Sequence, residues 1–464
     1  MILIRALPLR LRNAFLACRE AERRVGWRRV AAILFATLVL CGGQARAETG
    51  PPVAQGPAGQ TPAPMAQAGD KTSAIAARID RRGPTTRLIF ELTAPTPAAA
   101  FAATGPRIVV DLPEVAFLID SAVGAPAPPA PPIRLRGVTA EAEGSLIHSF
   151  RFGRFAPGRS RIVIDLTRPA KAARVESVMG PEGARLEIDL VAETPAAFAA
   201  AVAQRVKAEA AEASAGSAPA AREPAAAEKG QLPLVVLDPG HGGVDIGAQS
   251  RHGDMEKMIV FDFAQALKAK IEARGEQRVA LTREEDVFIP LNDRVRFARE
   301  HGASLFLSIH ADTLGAGGVR GATIYTVAAR ASDAESARIA EKENLADQAA
   351  GVEEVAKPEE VGDILFDLAR RETRALEHEF AQTLLVKWRE RASLNKNPTR
   401  SAGFVVLKAH DVPSALLELG YLSSEADLAN LTSPAWRDRA AEGVAEAIDA
   451  YFKAHPPPSR ASYK

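Results

Sequence analysis

Two folded modules of different class are predicted from this 464-residue chain. One is a small all-β sandwich over residues 73–192, and the other an α/β domain with a central sheet flanked by helices over residues 231–457. Three observations predict this multidomain arrangement. A six-residue strand pattern recurs four times in the first segment. Strands and amphipathic helices alternate in the second. Two low-complexity stretches, rich in Ala and Pro, precede and separate the modules with almost nothing to bury. The length alone implies two or three domains, and 47% hydrophobic with 25% charged residues is ordinary for a globular protein.

The N-terminal segment is different. Eight arginines between Arg5 and Arg29 precede a mostly apolar run from Val30 to Cys41, followed by the small-x-small pattern Ala45-Arg46-Ala47. Residues 1–47 therefore read as a signal peptide cleaved before Glu48. Twelve such residues are too few to span a hydrocarbon core of about 30 Å. The arginine pairs at 23–24 and 28–29 leave a twin-arginine route open beside the general one. Leu40 stands where a lipid-attachment site requires a small residue, which argues against Cys41 as an anchor. Cys18 and Cys41 both fall in the removable part, so the mature chain has neither disulfides nor cysteine chemistry. The first 47 residues hold nine Arg against two Glu, so the formal charge of +1 becomes −6 without them. That balance excludes general nucleic-acid binding, which needs a strong positive field.

Residues 48–72 read as a flexible tether. The β module follows. Arg87-Leu-Ile-Phe-Glu-Leu, Arg107-Ile-Val-Val-Asp-Leu, Arg161-Ile-Val-Ile-Asp-Leu and Arg185-Leu-Glu-Ile-Asp-Leu share one template of Arg, three mostly apolar residues, an acid and Leu. Alternate positions such as Ile108, Val110 and Leu112 are expected to face a core, and Gly, Pro and Asp between the runs supply turns. The segment resembles the AMIN domain, an all-β module found ahead of periplasmic amidases and associated with peptidoglycan binding. Its 14 Arg and one Lys against 12 acids suit an anionic wall polymer. Solvated arginines on a structural spacer are the plainer alternative. Residues 193–230 read as an Ala/Pro/Glu-rich linker, part of which (199–211) has the composition of a lone polar helix.

From Leu232 onward the periodicity changes. Leu234–Leu237 is a short apolar strand, Met255–Arg274 an amphipathic helix, and Arg278–Thr282 a strand. Leu291–Glu300 reads as a helix, and Ser304–Ile309 and Ala322–Val327 as strands. This alternation predicts a sheet layered by helices.

The turn after the first of these strands is Asp238-Pro-Gly-His-Gly-Gly-Val-Asp-Ile-Gly247. It lacks the Gly-Lys-Ser/Thr of a phosphate cradle and the spacing of a dinucleotide fingerprint. Its glycines are explained by tight backbone geometry, but His241 is not. Open α/β sheets place ligands at the C-terminal ends of their strands, and there both His241 and His310 (in Ser308-Ile-His-Ala-Asp312) are expected. His148, His252, His301, His378 and His455 read as solvated, with His410 a fallback ligand. Glu256 opens a helix. Two imidazoles and a carboxylate would form a three-ligand zinc set with an open position for water, although spacings of 15 and 54 residues alone point to it only weakly. Glu418, between Leu417 and Leu419, is expected to pair, bind metal or act as acid and base.

These motifs in order (Asp-Pro-Gly-His-Gly-Gly-x-Asp-x-Gly, Glu-Lys, Ser-Ile-His-Ala-Asp and Leu-Glu-x-Gly-Tyr-Leu) resemble the zinc-dependent N-acetylmuramoyl-L-alanine amidases that follow AMIN domains in Gram-negative bacteria. The resemblance implies His241, Glu256 and His310 as zinc ligands and Glu418 as the catalytic glutamate. It further implies cleavage of the bond between the lactyl group of N-acetylmuramic acid and the L-Ala of the stem peptide, in the periplasm. Tyr421 replaces the family's usual Phe, a change of packing. A zinc peptidase acting on the stem peptide and a non-catalytic wall-binding protein are the alternatives. The complete His, Glu, His and Glu set counts against a dead site.

His310 and Glu418 stand 108 positions apart, more than one strand and helix need. Ser332-Asp-Ala-Glu335 reads as a capping box opening a helix that ends before Gly351. In division-associated members of the family, a helix here blocks the zinc site through a glutamate until an activator with a LytM-like domain displaces it. By that resemblance residues 332–357 are autoinhibitory, Glu341 or Glu343 is the plug, and the enzyme splits the septal wall during daughter-cell separation. Residues 458–464 are a tail.

Overall fold

The computed structural model describes residues 72–126, 145–181, 183–215, 232–314, 319–352 and 364–456. The expected signal peptide, the tether over 48–71, residues 216–230, residues 353–357 and the tail lie outside the described residues. Among the described residues no helix is long and apolar enough to cross a membrane.

The β module is a sandwich of two sheets. The first runs β5 (Ala116–Phe117), β1 (Ser73–Arg82), β2 (Thr85–Leu92), β9 (Gly183–Ala192) and β8 (Ala170–Gly180); the second runs β3 (Ala99–Ala103), β4 (Arg107–Pro113), β7 (Arg159–Leu166) and β6 (Ile147–Ala156). Period-two alternation sends Leu88, Phe90, Leu186 and Ile188 of one sheet, and Ile108, Val110, Ile162 and Ile164 of the other, into one core. The outer faces explain the repeated template. Its arginine and its acid are four residues apart, so in antiparallel register each arginine of one strand meets an acid of the neighbour. Arg87 lies opposite Asp189 and Glu91 opposite Arg185 in the first sheet; Arg107 lies opposite Asp165 and Asp111 opposite Arg161 in the second. Three of these juxtapositions are short ion pairs: Arg87–Asp189 at 2.5 Å, Arg107–Asp165 at 2.8 Å and Arg161–Asp111 at 2.6 Å.

The stretch expected as a linker from residue 193, with a lone polar helix over 199–211, begins with a longer, 21-residue helix, α1 (Pro195–Ala215), that packs on the sandwich. Phe198 enters the sandwich core and Val202 packs against it. Arg205 lies 4.4 Å from the Phe101 ring centroid. The composition pointed to a lone helix, and what it did not show is that Phe198 docks it.

The second module is an α/β domain. Its strands are β10 (Leu234–Pro239), β11 (Arg278–Leu281), β12 (Leu305–His310), β13 (Ala322–Val327), β14 (Leu394–Ala402) and β15 (Ser414–Glu418), in the order β11-β10-β12-β15-β13-β14. All neighbours are parallel except β13 and β15. Helices α2 (Glu256–Arg274), α6 (Ile364–Arg389) and α8 (Pro434–Ala454) cover one face through Phe263, Trp388, Trp436 and Tyr451. Helices α3 (Leu291–Glu300) and α4 (Ala334–Asn344) cover the other, with Ala298 and Ile339 beside Phe404 and Leu407. A short α5 (Ala346–Ala349) follows α4, and α7 (Glu425–Leu431) precedes α8.

The two modules touch. Val109 and Val163, on the outer face of the second sheet, form one buried cluster with Val244, Phe288 and Ala350 of the α/β domain. Gly153 of β6 lies so close to Gly243 that a Cβ there would sit 2.4 Å from the Gly243 carbonyl carbon, so no larger residue fits.

Candidate metal centre

Strands β10, β12 and β15 run parallel and end at one edge of the sheet, which is where the polar residues gather. Beyond β10 the chain turns sharply at Gly240-His-Gly-Gly243. His241 has φ +58°, the single non-glycine residue in the left-handed region among the described residues. Such a conformation costs on the order of 1 kcal/mol and persists where surrounding contacts over-determine it. Here two buried arginines do so. Arg294 of α3 pairs with Asp238 at 2.8 Å and donates to the carbonyls of Pro239 and His241. Arg283 donates to the carbonyls of Pro239, Gly240 and Lys257. Asp238 also accepts from Thr282 and Ser308. Burial opposes its charge, but Arg294 and these donors hold its carboxyl below the usual range.

His310 ends β12, and the two imidazoles meet edge to face with centroids 4.9 Å apart. A Cβ on Gly240 would lie 2.5 Å from His310 Nε2, so the glycine lets the rings converge. Asp245 Oδ2 lies 2.9 Å from His241 Nδ1. That contact makes Nδ1 the protonated nitrogen and leaves the Nε2 lone pair directed into the site. Glu256, at the N-terminus of α2, is fully buried and accepts from the amides of Ala248 and Ala311. Its oxygens lie 3.2 Å from His241 Nε2 and 3.3 Å from His310 Nδ1.

Glu343 approaches from the opposite element. Its Oε2 lies 3.4 Å from His241 Nε2 and 3.3 Å from His310 Nδ1. His241, His310 and Glu343 form a buried group whose potential ligand atoms all lie within 4.8 Å of one another. His241 Nε2, His310 Nδ1 and Glu343 Oε1 are buried without a hydrogen-bond partner, as is Glu418 Oε1. Buried polar atoms left this way are costly unless something binds them. A tetrahedral zinc with bonds of about 2.0–2.1 Å has ligand-to-ligand edges of about 3.3 Å. The residues therefore fit a metal of that kind, with Glu256 and Glu343 straddling the imidazoles.

The electrostatics are those of a charge cluster. Burial alone would push the His241 imidazolium down, yet Glu256, Asp245 and Glu343 outweigh it and hold it well above the usual histidine range. Burial would raise the Glu256 carboxyl, but His241 and His310 hold it well below. Glu343 is raised, because burial is only partly offset by the same histidines. A divalent cation among these groups would dominate the balance, keeping the imidazoles neutral and the carboxylates ionised.

Glu418 ends β15 directly beside His310 in register, so both side chains leave the sheet on the same side. One oxygen accepts from the Asp312 amide at 3.1 Å. Burial, then Asp312, Glu256 and Glu343, raise its carboxyl well above the usual range. Tyr421 is fully buried and its hydroxyl meets Thr323 at 3.0 Å, a satisfied packing position.

Of the two glutamates expected in the insertion, Glu343 lies in the site, 5% exposed, and Glu341 is exposed. The helix cap also differs from expectation. Asp333, not Ser332, caps α4 by accepting from the Ser336 amide, and Ser332 accepts from the Ser401 amide instead. Lys342 pairs with Asp312, and Asn344 bridges the Gly403 carbonyl and the Val405 amide. His410, the fallback ligand, lies 3.2 Å from Arg299 through Nε2 and is not in the cluster. Asp245 and Arg294 escaped the sequence reading as site residues. Asp245 sits in the glycine-rich turn, four residues beyond His241, and that spacing was a usable signal. Arg294 lies on a strongly amphipathic, charged helix, where nothing local marks it as buried.

The chain matches known families in both modules. Residues 235–450 match the N-acetylmuramoyl-L-alanine amidase family and residues 76–190 the AMIN domain. N-acetylmuramoyl-L-alanine amidase AmiA of Escherichia coli K12 is 38% identical over 220 residues, 47% of this chain and 76% of that protein. AmiC of Neisseria meningitidis serogroup B is 31% identical over 320 residues, 67% of this chain and 76% of that protein. AmiC of Escherichia coli O6:H1 is 34% identical over 220 residues, 47% of this chain and 52% of that protein.

Proposed function

Because the chain belongs to the N-acetylmuramoyl-L-alanine amidase family, enzymes that hydrolyse peptidoglycan, we propose that it works through a zinc centre held by His241, Glu256 and His310. The bond cut joins the lactyl group of N-acetylmuramic acid to the L-Ala of the stem peptide. The observation that carries this reading is the convergence of two buried, unpartnered imidazole nitrogens beside Glu256, one strand from Glu418.

Zinc bound there would polarise the scissile carbonyl and acidify a water. The chain's own residues do the rest. Asp245 keeps the His241 Nε2 lone pair available, and the Ala248 and Ala311 amides fix Glu256. Glu418 takes a proton from the attacking water at Oε1 and returns it to the leaving nitrogen. A C–O bond forms as the C–N bond breaks, leaving the lactyl carboxylate and the free amine of L-Ala. A carboxylate whose burial raises its proton affinity suits that exchange.

In the same reading α4 is autoinhibitory. Glu343 lies against both imidazoles, where it would exclude water and substrate from a metal held there, and the Lys342–Asp312 pair secures it beside Glu418. The enzyme then works in the periplasm at the division septum, with a LytM-domain activator displacing the helix.

Release of dye from labelled peptidoglycan tests the scheme. Glu343→Ala should exceed wild type, and Glu418→Gln in that background should lose about 10²–10⁴-fold. A chelator should silence release and zinc restore it. Mass spectrometry should find intact peptides beginning at L-Ala; peptides shortened within the stem would favour the peptidase reading. A Glu343→Ala protein no faster than wild type would end the plug hypothesis. Inert Glu343→Ala protein in the presence of zinc would end the zinc mechanism.

A further inference from the structure

The inhibitory segment is gripped from outside the catalytic domain. Helix α5 ends in a Schellman motif: Gly351 has φ +70°, its amide bonds to the Gln348 carbonyl, and the Val352 amide bonds to the Asp347 carbonyl. Beyond such an end the carbonyls of Ala350 and Gly351 need donors from elsewhere. Both are supplied by one atom of the β module. Arg161 Nη1 donates to Ala350 O and to Gly351 O, each at 3.0 Å. The rest of the guanidinium is bound to Asp111 through Nε and Nη2, and its Cζ lies 3.4 Å from the Phe155 ring centroid. Arg161 is 4% exposed, so this is a dry, fully engaged contact. Shape completes it. A Cβ on Gly351 would lie 2.4 Å from Val109 Cγ2, and Ala350 belongs to the same buried cluster as Val109 and Val163.

We propose that the outer face of the second sheet is a regulatory docking surface whose partner is the end of the inhibitory segment, residues 346–351. The β module is thus a second restraint on the catalytic centre, acting through the chain that follows Glu343. Six residues lie between Glu343 and Ala350, and the end of α4, Leu345 and α5 fill the interval without slack. Holding one end of this compact connection limits how far Glu343 can withdraw. Displacing the plug therefore requires breaking the Arg161 contacts, or paying to unwind α5. The inference rests on Glu343 being the plug.

The test uses the whole chain and reads two quantities: hydrogen exchange of backbone amides over residues 334–350, and basal dye release from labelled peptidoglycan. Arg161→Lys keeps a cation beside Asp111 but cannot hold the carboxylate and both carbonyls at once. Gly351→Ala breaks the same contact from the catalytic side, through backbone strain and the clash with Val109, and leaves the β module untouched. Each should raise exchange over 334–350 about tenfold and basal release several-fold. Arg87→Lys, at an arginine–acid pair on the other sheet, should change neither.

Glu343→Ala is the reference for the plug itself. If Glu343→Ala accelerates release while Gly351→Ala and Arg161→Lys leave exchange and release at wild-type values, the docking proposal is overturned and the plug stands. If both docking variants raise exchange but Glu343→Ala does not raise release, the plug reading fails and the docking surface survives as a structural restraint only. Equal effects of Arg87→Lys and Arg161→Lys would also overturn the proposal, since a general loosening of the sandwich would then explain them.

Discussion

The two outer faces of the β module are built on one plan and do different things. In the first sheet the facing residues of β2 and β9 are Arg87 with Asp189, Ile89 with Glu187, and Glu91 with Arg185. In the second, β4 and β7 set Arg107 against Asp165, Val109 against Val163, and Asp111 against Arg161. The outer pairs are equivalent, an arginine with an acid in each case. Only the middle pair differs. Glu187 keeps the first face charged, and it joins Arg87 in an ion pair of 2.5 Å. Val163 makes the second face apolar at its centre, so it can dock against Val244, Phe288 and Ala350 while its rim arginines satisfy neighbouring carbonyls. The Arg–acid ladder is common to both faces, and the apolar centre of the second, Val109 with Val163, is what the other module packs against.

That comparison breaks most directly at its centre. Val163→Glu would copy Glu187 into the docked face, placing a carboxylate without a partner among buried valines. The cost expected for such a charge is about 3–5 kcal/mol, more than the contact can bear, so the face should separate. Hydrogen exchange should rise at both 240–245 and 334–350. Unchanged exchange there would mean that docking does not depend on the apolar centre.

A smaller effect is expected from removing the arginines. Charge-assisted hydrogen bonds contribute about 1.5–3 kcal/mol each way they are counted. Arg161→Ala loses Asp111 and two carbonyls and should cost near the top of that range in denaturant unfolding. Arg87→Ala, which loses carboxylate partners on its own sheet but no contact to the other module, should cost near the bottom. Equal losses would erase the distinction between the faces. Phe155→Ala removes a ring stacked on Phe288 at 5.8 Å and lying beneath Arg161. A loss of about 1–2 kcal/mol from aromatic and cation–π contact is expected in the same measurement. A weaker link is Gln249, which donates to Ser121 at a long 3.3 Å. Gln249→Ala should shift stability by under about 0.5 kcal/mol; a larger loss would show that this contact carries more of the docking than its length implies.

Much of this was legible before any coordinates. The sandwich followed from four copies of one strand template, and the α/β sheet from strand and helix periods. His241, His310 and Glu418 were marked by polar side chains at the ends of apolar runs. Glu187, the acid at the third position of the fourth template copy, was visible too, but its meaning was not. The docking of helix α1 was hidden, because a polar Ala-rich helix reads as solitary and Phe198 declares itself only when a groove is there to receive it. Glu341 and Glu343 are two residues apart on one helix, about 200° around its axis. Composition cannot choose between them; the direction from which α4 approaches the histidines does.

The local sequence determined by itself which segments form strands and helices, which turn is tight enough to need Gly240, and which residue types can hold a metal. These depend on periodicity, backbone sterics and side-chain chemistry, all readable within a few positions. The tertiary structure alone decided that Arg294 lies buried under the His241 turn, that Glu343 and not Glu341 meets the imidazoles, and that Arg161 reaches carbonyls 189 and 190 positions away. Those outcomes depend on strand register and domain docking. Such long-range juxtapositions carry no signature in the short stretch of chain around each residue.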